Sequence, residues 1–379
     1  MRLAIFENIM TPGGHEVDFD RIIVEEFQKL GHEVSFYVPE DFVFSMDYKV
    51  PVKRLKGKTV TYTGVKGIKK LMYSVKREWN RQSWYKQLYE EARNGQVDAI
   101  IVPTSTYRYL RALAKNVFKD SPVPVIFILH GINPGEAPKF MAAARDLLQY
   151  KNIKPVVLTF SKDIFGEKLD NISMIYPPTY TPRDIAYVPQ VEKKEILTIG
   201  FFGQYRREKK LEDFLEAYIN GSYTRPVKLM VQGATMHPED SADFKRIIKK
   251  YSGREDIEFL HKGLIGPQWQ EKISEIDALL LPYSAKRYLY HWGGMLFTAI
   301  GFKKPVVTSD DMNPEVFELF HIGETFASGN LTELKRVLED FVNGFDANVE
   351  IYRDALDKAS EEFSPEMFAK RVEAIIENR

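Results

Sequence analysis

The stretch ILTIGFFGQYRREKKLEDFLEAY, residues 196–218, passes from an apolar, β-branched run of strand length, through Gly203, into a segment whose leucines and aromatics recur at helical spacing. A strand that feeds a helix through a glycine is the repeating unit of a parallel sheet, because the crossover helix covers the sheet face it returns across. Between strand and helix stand Arg206, Arg207, Lys209 and Lys210. The helix dipole disfavours cations at a helix start, and a bound anion relieves that conflict. The pattern therefore points to a phosphate site in preference to a solvated basic turn.

The same alternation extends outward in both directions. Toward the C-terminus, VKLMVQG, IEFLHKG, ALLLPYS and PVVTSD read as strands separated by amphipathic stretches. Toward the N-terminus, RLAIF, EVSFYV, VDAIIV, VPVIFIL, KPVVLTF and ISMIYP form an earlier set, with helices expected over 18–30, stopped by Gly31, and over 107–118. The four prolines of YPPTYTPRDIAYVPQVEKKE, 176–195, suit a linker. The reading is an α/β protein of two Rossmann-like, doubly wound domains, 1–178 and 195–363. A closing helix lies within 364–379, where Ser364, Pro365 and Glu366 form a helix-start signal.

Composition supports this division. A chain of 379 residues, 44% apolar, can fill two cores. Its 53 basic and 53 acidic residues balance, which argues against a dedicated nucleic-acid binder. It has no cysteine, so disulfides and thiolate metal sites are excluded. His261 and His291 have no second ligand at metal spacing on their own elements, and neither a metal nor a cofactor is expected. No run approaches the roughly 20 apolar residues of a spanning helix, and MRLAIFENIMTPGG is too interrupted for a signal peptide, so a cytoplasmic protein is expected. One segment stands out from this neutral background. Residues 53–81 carry ten Lys or Arg against Glu78, interleaved with Leu71, Met72, Tyr73, Val75 and Trp79. It reads equally as a solvated helix face and as a peripheral membrane contact that guides a lipid-linked acceptor.

Open α/β sheets bind ligands beyond the carboxyl ends of their strands. Gly13 and Gly14 follow the first strand and precede a helix; they form either a plain turn or a close approach to a ligand. In ALLLPYSAKRYLYHWGGMLFTAIGFKKPVVTSD a strand is followed by Lys286 and Arg287, then by Gly293 and Gly294 at the start of an apolar helix. Such glycines cost about 0.5–1 kcal/mol each against Ala inside a helix. Either a pyrophosphate approaches them, or the helix packs tightly on its neighbours.

Taken in order, TIGFFGQYRREKKLEDFLEAY, VKLMVQG, IEFLHKGLI, ISEIDALLLPYS and GGMLFTAIGFKKPVVTSD resemble the C-terminal half of GT-B glycosyltransferases of the large retaining family 4. GGHEVDFDRIIVEEFQKLGHEVSFYV and VIFILHGINPG are similar to that family's N-terminal half. The resemblance implies a GT-B architecture, two Rossmann-like domains facing a cleft. The N-terminal domain would lie on the acceptor side, the C-terminal domain on the donor side, and the last helix would return to the first domain. It implies a metal-independent, hexosyltransferase-like enzyme of polysaccharide biosynthesis, with a nucleotide-sugar donor and a glycan or lipid-linked acceptor.

Residue by residue, the resemblance gives Lys209 to the donor diphosphate, with Gln204 where an arginine is usual and Arg206 supplying that charge. Gly13 and Gly14 would face the phosphates, and Gly293 and Gly294 would lie at the helix start that receives the pyrophosphate; Gly203, the tight exit from its strand, is a further donor-binding candidate. His130 would lie near the transferred sugar as the candidate catalytic residue, and Glu315 near the donor. The family's paired glutamates fall on Tyr290 and Thr298, so both are lost here. Three readings stay open: a working transferase that relies on cations and helix amides, a noncatalytic partner of an active enzyme, or another GT-B enzyme such as a nucleotide-sugar epimerase. Retention would need no protein base, whereas inversion would need one such as His130 or Glu16.

Overall fold

Strands β1 (Arg2–Phe6), β2 (Glu33–Pro39), β3 (Val52–Leu55), β4 (Ala99–Val102), β5 (Val125–Leu129), β6 (Ile153–Leu158) and β7 (Ser173–Ile175) form one parallel sheet in the order β3-β2-β1-β4-β5-β6-β7. The computed structural model describes residues 1–10, 15–60, 67–161 and 163–378, so Gly13, Gly14 and Lys66 lie outside the described residues. β4 and β5 are buried along their whole length because helices cover both faces of the sheet. The covering helices are α1 (His15–Lys29), α2 (Ile68–Arg93), α3 (Tyr107–Leu113) and α4 (Ala137–Asp146). Phe6, Trp84, Tyr85, Leu88, Phe118 and Phe127 meet in the core of this unit.

The second sheet is built from β8 (Leu197–Phe201), β9 (Val227–Gln232), β10 (Ile257–Leu260), β11 (Ala278–Leu281), β12 (Val306–Ser309) and β13 (Gly323–Phe326), in the order β10-β9-β8-β11-β12-β13. Its helices are α5 (Leu211–Ile219), α6 (Pro238–Tyr251), α7 (Gly266–Ser274), α8 (Gly294–Gly301), α9 (Pro314–Leu319) and α10 (Leu331–Glu362). The chain divides into Met1–Pro177 with Pro365–Arg379, and Pro178–Ser364. The last helix, α11 (Pro365–Glu377), packs on α1, where Phe368 and Phe19 have ring centres 5.4 Å apart and Glu373 pairs with His32 at 2.7 Å.

Three features differ from the sequence reading. β3 and β13 are short strands whose exposed or polar residues hide the strand signal. The helix expected over 107–118 stops at Leu113, and a 3-10 turn over Val117–Asp120 follows, with the Asn116 side chain accepting the Phe118 amide. The segment 176–195 is irregular but fastened to the second unit. The Thr179 amide donates to Phe363 O at 2.8 Å, and Tyr180 stacks on Trp292 with centroids 5.1 Å apart. Gly301 of α8 permits this contact, since a Cβ there would lie 2.1 Å from Tyr180 O.

Candidate functional site

In each sheet the first strand of its unit sits where the chain reverses direction across the sheet: β1 lies between β2 and β4, and β8 between β9 and β11. The carboxyl ends of β1 and β8 are therefore the switch points at which open α/β sheets leave a crevice for ligands. In the second unit, the exit from β8 requires glycine. Gly203 has φ +104°, and its amide donates to the buried Gln232 side chain at 2.9 Å. A single 3-10 turn, Arg207–Lys209, then carries the chain into α5 through Lys210 in the left-handed region.

That turn directs Lys209 inward. The residue is 6% exposed, and its ammonium lies 4.6 Å from the centre of the Tyr283 ring and 5.9 Å from that of Phe201. A Cβ on Gly203 would lie 3.5 Å from Lys209 Nζ and equally near Met295 Sδ, so the ammonium sits beside the Gly203 turn, close to the first turn of α8. Burial pushes its pKa down to about 7, and Arg206 and Arg287 push in the same direction against Glu208. Glu208 itself pairs with Arg287 and stands 3.8 Å from Arg206. Arg206 also donates to Gln204 at 3.3 Å, and Arg287 to the Tyr288 hydroxyl at 2.9 Å. Three cations thus gather around one carboxylate, and no described residue gives Lys209 Nζ an ion pair or hydrogen bond.

The two glycines before α8 have different surroundings. A Cβ at Gly293 would meet Met312 Sδ at 2.5 Å and Asn313 Oδ1 at 2.9 Å, so packing alone requires glycine there. At Gly294 the nearest atom is Tyr180 Cε2 at 4.0 Å, and packing does not explain the glycine. Both amides have internal acceptors, Asn313 Oδ1 for Gly293 at 3.1 Å and Trp292 O for Gly294 at 3.0 Å. Asn313, at φ +40°, also donates to Tyr288 O and His291 O and so ties down the loop that carries Lys286 and Arg287. Tyr290 is part-exposed at the end of that loop's 3-10 turn. Thr298 is buried inside α8, with its hydroxyl donated to Gly294 O at 2.9 Å. Glu315 occupies the first turn of α9.

In the first unit, His130 follows β5 and donates from Nε2 to Pro103 O at 2.9 Å. Its ring meets Phe19 edge-on at 4.7 Å. At the switch point stands Glu7, a residue the sequence reading did not single out. It is 2% exposed; Oε1 accepts the amides of Asn8 and Ile9 at 2.6 and 2.5 Å, and Oε2 has no partner among the described residues. Burial raises its pKa to about 8, against the pull of those two amides. Asp20 on α1, 4% exposed, is likewise raised by burial and then by Glu7 and Glu16, and its Oδ1 has no partner among the described residues. A lone Glu after a strand carries no sequence signal of this kind, because the burial comes from elements far apart in the chain.

No protein-family model matches this chain, and no curated protein matches it in sequence. Solved structures do match its fold. Anabaena HepE has a TM-score of 0.72 in complex with UDP and 0.70 in complex with UDP-glucose, each at 14% identity and covering 100% of both chains. A glycosyltransferase from Rickettsia africae gives 0.68 at 13% identity, covering 100% of this chain and 99% of its own. Sucrose-phosphate synthase from Thermosynechococcus elongatus gives 0.67 at 12% identity, covering 99% of this chain and 98% of its own. The fold is that of the GT-B glycosyltransferases, with parallel sheets of seven and six strands.

Proposed function

We propose that this chain is a glycosyltransferase that moves a sugar from a nucleotide-sugar donor to a glycan or lipid-linked acceptor, with the donor diphosphate held in the second unit. The observation that carries the reading is Lys209, a buried ammonium with Arg206 and Arg287 beside it, at the switch point after β8. A buried cation without a counter-ion is costly, and a diphosphate supplies the missing charge. The relatives of like fold add support, since HepE binds UDP and UDP-glucose.

The chemistry follows from what those cations can do. Departure of the diphosphate builds negative charge on its oxygens, and preorganised cations in a water-poor site stabilise that charge without reorganising. In a retaining reaction the acceptor attacks the face from which the diphosphate leaves, and the departing phosphate takes the acceptor proton. His130 is placed in this reading near the transferred sugar. A second reading, binding without turnover, is favoured by one observation: the position of the family's second glutamate is a threonine buried inside α8.

A thermal-shift panel of nucleoside diphosphates and nucleotide sugars tests both. Saturation at 100 times Kd stabilises by about 2.7 kcal/mol, and one base is expected to stand out. Slow hydrolysis of the matching nucleotide sugar would support transfer, and binding without hydrolysis would favour the second reading. A flat response across the panel sinks the donor site.

A further inference from the structure

The first three turns of α2 turn an apolar stripe to solvent. Ile68, Leu71, Met72, Val75 and Trp79 are each between 63 and 79% exposed. At 3.6 residues per turn these five positions fall within an arc of about 100°. The residues of α2 that bury themselves, Arg81, Trp84, Tyr85, Leu88 and Ala92, lie on a different side and begin only where the stripe ends. The helix therefore packs on its domain through its second half and turns the stripe of its first half to solvent.

The free charges beside the stripe are basic. Lys69 and Lys76 are exposed along one edge, whereas Glu78, on the other edge, is tied to Arg81 at 2.8 Å. A second copy of this chain would bring the same lysines against each other across a two-fold contact, which like charges oppose. An anionic bilayer satisfies both features. Its headgroups neutralise the lysines, the stripe enters the boundary with the acyl chains, and Trp79 takes the interfacial depth that indole favours. Three turns span about 16 Å, so the segment lies in the plane of the surface rather than across it. No helix among the described residues is long and apolar enough to cross a membrane.

We propose that residues 68–79 dock this protein on an anionic phospholipid surface, with the apolar stripe seated among the lipids and the lysines on the headgroups. The inference does not depend on the donor reading, because it rests on a different unit and is read by a different assay. It goes beyond that reading by naming a surface on which the acceptor would be met.

Cosedimentation of the full chain with vesicles of phosphatidylcholine, with and without phosphatidylglycerol, tests it. Binding is expected only with the anionic lipid, weakening about fivefold for each of Lys69→Gln and Lys76→Gln. Leu71→Gln with Val75→Gln is expected to weaken it more than tenfold at unchanged Tm, since both side chains are exposed. Tryptophan emission should shift to the blue on binding and be quenched by brominated acyl chains, and Trp79→Phe should abolish both changes. Absence of binding overturns the proposal, as does binding that these substitutions leave unchanged. Self-association in the ultracentrifuge that Leu71→Gln abolishes would assign the stripe to a second copy and overturn it too.

Discussion

After β1 the chain buries two carboxyl groups, Glu7 and Asp20; after β8, at the corresponding place in the other sheet, it buries the ammonium of Lys209. Among the described residues neither group has an ion pair, and in both the pKa moves toward the neutral form: Glu7 up to about 8, Lys209 down to about 7. The topology is shared and the sign is opposite. A poised ammonium suits an anion, whereas carboxyl groups pushed toward the neutral form offer an anion no counter-charge. Two switch points of like topology thus differ in the charge they bury.

The largest expected effect lies on the Lys209 side of this comparison. Lys209→Ala should weaken binding of the nucleoside diphosphate by roughly 1.5–3 kcal/mol, the scale of a charge-assisted hydrogen bond. Lys209→Met, which keeps most of the aliphatic volume, should lose the same affinity while its ligand-free Tm holds or rises, because an unpaired buried cation has been removed. Titration calorimetry and a thermal melt read the two quantities separately. A clear fall in ligand-free Tm for Lys209→Met would make the lysine structural and would break the parallel with Glu7.

Next in size is the acid side. The Glu7 carboxyl, raised from 4.5 to about 8, is more easily protonated in the folded protein, so its contribution is fully present below pH 4.5 and is lost as pH rises toward 8. Glu7→Gln keeps an Oε1 for the amides of Asn8 and Ile9 and removes the titration. It should change little at acid pH and raise the Tm by several degrees near pH 8. A Tm difference that does not vary with pH would show that Glu7 does not titrate in this window.

The sequence made one half of this comparison legible and left the other hidden. Gly203 and the cations after it are local: one strand, one turn and the start of one helix carry the signal, and the structure keeps them together. The strands β4, β5 and β11 were equally plain, because burial on both faces makes the whole run apolar. Glu7 and Asp20 become unusual only when α1 closes over β1, an event that no spacing records. The same holds for Arg287, whose partner Glu208 is 79 residues away, and for Asn313, whose side chain occupies the Gly293 amide. The resemblance marks Thr298 as the place of a family glutamate, yet its burial is set by the packing of α8.

The smallest effect is the most diagnostic, because it tests the opposition of sign itself. With a pKa near 7, Lys209 is largely neutral in ligand-free protein at pH 8 and largely charged at pH 6. Phosphates beside it would restore the charged form, so binding should take up close to one proton at pH 8 and close to none at pH 6. Affinity should then fall about fivefold between pH 7 and pH 8. The ligand for this measurement is a nucleotide sugar, whose two phosphates keep a constant charge over the range, and calorimetry in buffers of unlike ionisation enthalpy counts the proton. Without ligand the slope reverses: the unfolded lysine holds its proton up to its ordinary 10.5, so this group's contribution to stability rises with pH between about 7 and 10.5, whereas that of Glu7 falls between 4.5 and about 8. Lys209→Arg removes the titration, since a guanidinium stays charged, and its nucleotide affinity should no longer depend on pH. If the parent already binds with no proton uptake at pH 8, Lys209 is charged without the ligand, some other group supplies its counter-ion, and the contrast between the two switch points fails on the side where it is most exposed to test.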